Sequence, residues 1–276
     1  MNFEERWTIL SELAPKLKPK FKLQIIFSLI ILLSVSFGLA FALARPPADP
    51  SFSFVVFGDN QGSKEIFDQL LARLNQETDL AFAVNLGDCV VNGTEPEYQL
   101  YLSQLSKLQP KVYQVPGNHD LVNHGDRYFK KYFGPLYYSF NYQNSHFIVL
   151  NNAFRGMFNA TQLNWLKADL AQNKQAHCFV FFHRPLFDPL ELYDDYVMSE
   201  HEVVAELKSL FARYRVEYVC AGHIHGYARR REGGVVYLVS GGAGGVLHLP
   251  AGLGGFYHYV KITVAGEKIT EEVVKL

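Results

Sequence analysis

Five short polar clusters carry the residues of this chain that could do chemistry. In order they are Gly58-Asp59-Asn60-Gln61, Gly87-Asp88, Gly117-Asn118-His119-Asp120, His183-Arg184-Pro185 and Gly222-His223-Ile224-His225. Asp59, Asp88, Asn118, His183, His223 and His225 make an oxygen and nitrogen donor set with no thiolate, which suits divalent ions such as Zn, Mn or Fe. Two such ions about 3.5 to 4 Å apart can share a carboxylate and activate a common water, so the set reads as a two-metal hydrolase. No Ser or Cys with an adjacent base stands in these clusters, in agreement with water as the nucleophile. Each residue alone has an ordinary reading: Asp59 and Asp88 as helix N-caps, Asn118 as a turn residue, each His as a partner for backbone carbonyls. Their joint occurrence is what favours the metal site.

The elements needed to bring them together are legible as alternation. Apolar runs at Ser53 to Phe57, Leu80 to Leu86, Lys111 to Val115, His177 to Phe182 and Val216 to Cys220 predict strands. Segments with helical periodicity lie between them at Lys64 to Asn75, Pro96 to Leu108, Thr161 to Gln172 and His201 to Tyr214. This predicts an α/β fold with helices covering a sheet, and nearly every cluster falls where a strand ends. Strand carboxyl ends in such sheets converge on one crevice. Hairpin-like stretches at Tyr137 to Leu150, and at Val235 to Val239 followed by Tyr257 to Val264, predict a second sheet packed on the first.

The ordered motifs resemble those of the calcineurin-like metallophosphoesterase superfamily, D-x-H, GD, GNH[D/E], H and GHxH, over residues 51 to about 264. The stretch Tyr132 to Phe140 leading into Phe147 to Leu150 is also similar to the segment after GNHD in that family. The resemblance implies a four-layer α/β/β/α sandwich that hydrolyses a phosphate mono- or diester, or a phosphoanhydride, by direct in-line attack of water without a phosphoenzyme. It implies two divalent metal ions (Mn, Zn, Fe or Mg): Asp59 and His225 on the first, Asp88 bridging, and Asn118, His183 and His223 on the second. His119 is then the expected general acid, with Asp120 fixing its orientation. One departure stands out, because Gln61 occupies the place of the first motif's His. An amide oxygen is a weaker ligand than imidazole, so the first metal is expected to bind less tightly or to be a harder ion. The rival reading is a fold retained as a membrane-bound binding or scaffold protein with weakened catalysis. Arg184 is open between neutralising phosphate and solubilising the surface.

No charged residue occurs from Leu23 to Ala44, and about 22 residues at ~1.5 Å rise span a ~30 Å hydrocarbon core. Lys16, Lys18, Lys20 and Lys22 crowd the N-terminal flank, which places that end in the cytoplasm by the positive-inside bias. The expected organisation is a cytoplasmic tail over 1–22, a transmembrane signal-anchor over 23–44, a linker over 45–50 and an extracytoplasmic catalytic domain over 51–276. Ala42-Leu43-Ala44 fits a cleavage site, and cleavage after Ala44 would make the domain secreted.

Residues 46–276 hold 20 basic and 24 acidic residues, a balance that speaks against a nucleic-acid partner. The expected substrate is a phosphorylated small molecule or a lipid-linked phosphate, and no obligate protein partner is evident. Cys89, Cys178 and Cys220 are read as packing residues. His146, His177, His201, His248 and His258 lack motif context and are expected to be structural, whereas His124 could stand at the rim of the site. The glycines of Gly241 to Gly245 read as turns near its mouth. Asn159 reads as a helix start.

Overall fold

In the computed structural model, which describes residues 51–276, the apolar runs form strands, most of them buried on both faces. The predicted tail, membrane span and linker over 1–50 lie outside the described residues, and no described helix is long and apolar enough to cross a membrane. Strand β1 (Ser51–Phe57) has six consecutive buried residues, a pattern that only a strand covered from both sides can satisfy. It lies parallel to β2 (Leu80–Asn85), which is parallel to β3 (Lys111–Gln114), and on its other side it pairs antiparallel with β10 (His258–Ala265) and β10 with β11 (Lys268–Lys275).

The second sheet runs in the order β4 (Tyr138–Tyr142), β5 (Ser145–Val149), β6 (His177–Phe181), β7 (Tyr218–Ala221), β9 (Val235–Ser240), β8 (Tyr227–Glu232). Its four inner strands are parallel, and its edges β4 and β8 are antiparallel. Phe54 and Phe82 of the first sheet pack against Phe147, Phe179 and Phe181 of the second, for example Phe54 edge-on to Phe179 with ring centroids 5.1 Å apart.

Helices cover both outer faces. On one side α1 (Glu65–Leu74) buries Phe67, Leu70, Leu71 and Leu74, the i, i+3, i+4, i+7 stripe of a one-faced helix. Beside it lie α2 (Glu95–Leu105), the single turn α3 (Asn118–Leu121) and α4 (Asp126–Phe133), through Tyr98, Tyr101, Leu121 and Phe129. On the other side α5 (Ala160–Gln172) and α6 (His201–Arg213) pack Leu166, Leu170, Leu207 and Phe211 onto β5, β6 and β7. The layers are therefore α/β/β/α. Asn159 caps α5 by accepting the Gln162 amide, and Glu97 accepts the Thr94 amide at the start of α2.

The expected pairing of Val235 to Val239 with Tyr257 to Val264 is corrected: β9 sits between β7 and β8, whereas β10 belongs to the other sheet. The true partner of β9 is Tyr227 to Glu232, whose three exposed-side arginines hide a strand signal yet suit a sheet edge.

His258 joins the sheets: its Nδ1–H donates to Phe256 O at 2.9 Å and its Nε2 lies 3.2 Å from Ser240 Oγ on β9. Burial pushes this imidazole down to about 4. The unfolded chain takes up the proton near pH ~6.5, so this contribution to stability is complete above that pH and is lost as pH falls towards 4, by roughly 3 kcal/mol at the limit. Melting temperatures from pH 7.5 to 4.5 should therefore fall more steeply for the parent than for His258→Gln; parallel curves would rule the linkage out.

Candidate metal centre

The clusters meet because parallel strands of both sheets point their carboxyl ends the same way. Asp59 follows β1, Asp88 follows β2 and Asn118 follows β3; His183 follows β6, and His223 and His225 follow β7. Asp59, Asp88 and His223 have φ values of 62°, 56° and 68°, a left-handed backbone that is rare outside glycine and concentrates at functional turns. The turns interlock: Asp59 N donates to Gly87 O and Gln61 N to Asp88 O. Gly87 has to be glycine, since its φ is 103° and a Cβ would stand 2.6 Å from His183 Nδ1. At Gly117 a Cβ would collide with the Asp88 carboxylate.

Two groups of donors result. Around His183 Nε2 lie Asn118 Oδ1 at 3.0 Å, His223 Nδ1 at 3.1 Å and Asp88 Oδ2 at 3.3 Å. His183 Nδ1–H donates to Leu86 O, so in the neutral ring Nε2 presents a lone pair to two acceptor oxygens and to a ring nitrogen of His223. In the second group His225 Nε2 lies 3.4 Å from Asp59 Oδ1 and 3.5 Å from Gln61 Nε2, and His225 Nδ1–H donates to Val246 O. Asp59 Oδ2 accepts the His223 amide, whereas Oδ1 is buried with no hydrogen-bond partner. Opposed lone pairs and an orphaned carboxylate oxygen fit divalent cations in both groups.

Charge points the same way. Asp59 and Asp88 are buried, and among the described residues their only ion-pair partners are histidines. Burial disfavours charge at both His183 and Asp88, yet their mutual attraction prevails, holding the imidazole up to about 9 and the carboxyl down to about 2. His223 is pushed down to about 2 by burial and by His183. His225 goes up because Asp59 outweighs burial. The carboxylates thus demand positive charge, which a proton on His183 supplies and a metal would supply in its place.

His119 stands at the edge of this arrangement. Its backbone N–H donates to Asp88 Oδ1, and its Nδ1–H donates to Val91 O at 2.7 Å, leaving Nε2 without a partner among the described residues. The expected support of His119 by Asp120 is corrected. Asp120 is fully buried, and its carboxylate accepts the backbone N–H groups of Asp88, Cys89, Val90 and Gly117. Facing main chain on every side, it organises the turns that carry Asp88 and Asn118. Burial and the nearby Asp88 push it up to about 6.

Arg184 Nη2 donates to Val197 O, which ties the guanidinium to the following loop. His124 is exposed in the turn Val122–His124. His146 is held by Asn141 and Asp169, and His177 by Glu217 and Gly266 O, as structural residues. His248 departs from its structural expectation: its ring stacks on His225 at 4.0 Å and 8°, and its Nδ1 accepts the His225 amide. Asn152, just beyond β5, accepts the His183 and Arg184 amides through Oδ1. An Asn-Asn pair directly after a buried strand was the available signal for it.

Gln61 faces the second group, so Gln61→His should strengthen retention of the more weakly held metal against a chelator, on the order of tenfold, the scale of changes around a metal centre. Unchanged retention would show that this position does not ligate.

A two-sheet sandwich with paired donor groups at the strand ends defines a dinuclear-type hydrolase scaffold. The family model for calcineurin-like phosphoesterase matches residues 52–227, and the chain belongs to that family. It is 31% identical over 178 residues to a 3',5'-cyclic-nucleotide phosphodiesterase of Nostoc sp., covering 62% of this chain and 64% of that protein. It is 26% identical over 223 residues to a phosphoenolpyruvate phosphatase of Allium cepa, covering 70% of this chain and 45% of that protein. The chain thus spans less than two thirds of the length of these relatives. Among solved structures, a dimetal phosphatase from Danio rerio superposes with a TM-score of 0.65 at 17% identity, over 82% of this chain and 97% of that one.

Proposed function

We propose that this protein hydrolyses a phosphate ester with the aid of two divalent metal ions. The observation that carries the reading is the pair of donor groups whose lone pairs oppose one another, with Asp59 Oδ1 buried and without a hydrogen-bond partner among the described residues. Asp59, His225 and Gln61 would hold one ion, Asn118, His183 and His223 the other, and Asp88 would be shared. Such ions supply a Lewis acid for the phosphoryl oxygens and acidify the attacking water.

The chain's own residues do the rest. Leu86 O and Val246 O fix the tautomers of His183 and His225, so that each presents Nε2. Val91 O fixes His119, whose protonated Nε2 would donate to the departing ester oxygen. Asp120 keeps Asp88 and Asn118 in register through four main-chain contacts. The Nostoc and Allium relatives, named as a phosphodiesterase and a phosphatase, support ester hydrolysis in both forms. We take residues 23–44 as a membrane anchor that presents the domain outside the cytoplasm, on the strength of their apolar length and the lysine flank.

The test is metal content, with turnover of para-nitrophenyl phosphate and its bis-ester, for the whole protein as purified, after chelation, and after Mn, Zn or Fe is added back. Turnover lost on chelation and restored by metal is expected. Bound metal with turnover unaffected by its removal would sink the proposal, and so would absence of stoichiometric metal.

A further inference from the structure

Among the described residues six large apolar side chains stand out as exposed, and three of them sit next to site histidines. Val246 is 80% exposed while its carbonyl holds His225. Val91 is 38% exposed while its carbonyl holds His119. The Tyr196 ring, 36% exposed, lies 5.6 Å from the His223 ring and 5.1 Å from that of His248. Tyr193 braces this edge by donating to His248 O and standing edge-on to Tyr196. Single exposed apolar residues are ordinary, but three on the immediate supports of one site are not a scatter.

The chemistry of the surrounding chain is one-sided. Stretches 190–198 and 246–256 contain no Lys or Arg, while Leu192 and Leu253 add further exposed apolar surface to them. A nucleic acid, or a nucleotide with further phosphates, would find no Lys or Arg on these stretches to meet its second charge, and the Arg184 guanidinium beside them is held by Val197 O. The floor of the site is closed, since Asp59 and His183 are fully buried. A phosphoryl group seated among the donors must therefore direct its organic group outward, past the edge where Tyr196 stands against His223 and where Val246 and Val91 hold His225 and His119.

We propose that this rim selects esters whose organic group is apolar, an alkyl chain or an aromatic ring, and that Tyr196 is the specificity-determining residue. The inference rests on the ester-hydrolase reading above and names the substrate class of that same site. Free and membrane-embedded alkyl phosphates share this chemistry.

The experiment uses n-alkyl phosphates and n-alkyl para-nitrophenyl phosphates, from ethyl to octyl, whose leaving groups are matched within each series. Calorimetric binding of the corresponding n-alkylphosphonates, which cannot be hydrolysed, runs beside it. Because the rim is open on one side, kcat/KM and affinity should rise about twofold per methylene, roughly half the gain for complete burial. Tyr196→Ser should flatten that slope, and Leu100→Ser, on the outer face of α2, should leave it intact. Mixed vesicles of octyl phosphate compared with the free molecule separate the membrane source from the soluble one. Turnover of the ethyl esters with no dependence on chain length would overturn this inference and leave the hydrolase reading standing. With no turnover anywhere, the hydrolase reading falls, and a flat phosphonate series would overturn the rim as well.

Discussion

His119→Ala is expected to lower turnover by roughly two to four orders of magnitude, the usual scale for losing a general acid, with metal content and melting temperature nearly unchanged. The separation is physical. The imidazole is partly exposed and its Nδ1 is spent on a single carbonyl, Val91 O, so deleting it opens no cavity and strands no buried donor. The link between this residue and Asp88 runs through the backbone N–H, which alanine retains. Loss of metal in proportion to activity would remove His119 from the proton-transfer role and make it a support for Asp88.

Asp120→Asn, one residue further on, should have the opposite profile. Its two oxygens take four main-chain N–H groups in a fully buried pocket. An amide offers one oxygen and turns an N–H₂ towards the remaining donors, so a cost of about 3 kcal/mol or more is expected from buried donors left unpaired. For a domain of this size that is a fall of roughly 6 to 12 °C in melting temperature. Metal should be lost with it, because the turns bearing Asp88 and Asn118 are the segments released. Measuring melting temperature and metal in the same preparations decides the matter. A variant that keeps both and loses only turnover would put Asp120 back beside His119 in the chemistry.

The contrast between these neighbours marks the limit of what spacing can say. The five polar clusters and the strands before them were legible because burial on both faces demands apolar runs, and because chemistry concentrates where such runs stop. What a side chain faces was not legible. Asp120 reads like a partner for His119 in one dimension, and only the closing of β2 beside β3 brings four amides around its carboxylate. His248 carried no motif, since its place over His225 depends on the path of the Gly241 to Gly245 turn, where Gly245 N bonds Asp59 O. The exchange of partners between β9 and β10 escaped for a related reason: strand periodicity fixes faces, never which sheet a strand joins. Helix α4 was missed because it is short and only Phe129 of it is fully buried.

The left-handed turns at Asp59, Asp88 and His223 determine which substitutions can isolate ligation from folding. Asparagine tolerates that backbone at least as well as aspartate, through its short polar side chain, whereas alanine and the β-branched residues do not. An Asp→Asn change at 59 or 88 therefore removes charge and leaves the loop's conformational preference in place. An alanine scan at the same positions would mix two effects, the missing ligand and a chain drawn back towards right-handed geometry. The residues most exposed to this confusion are those nearest the chemistry, so their roles are better assigned with isosteres than with truncations.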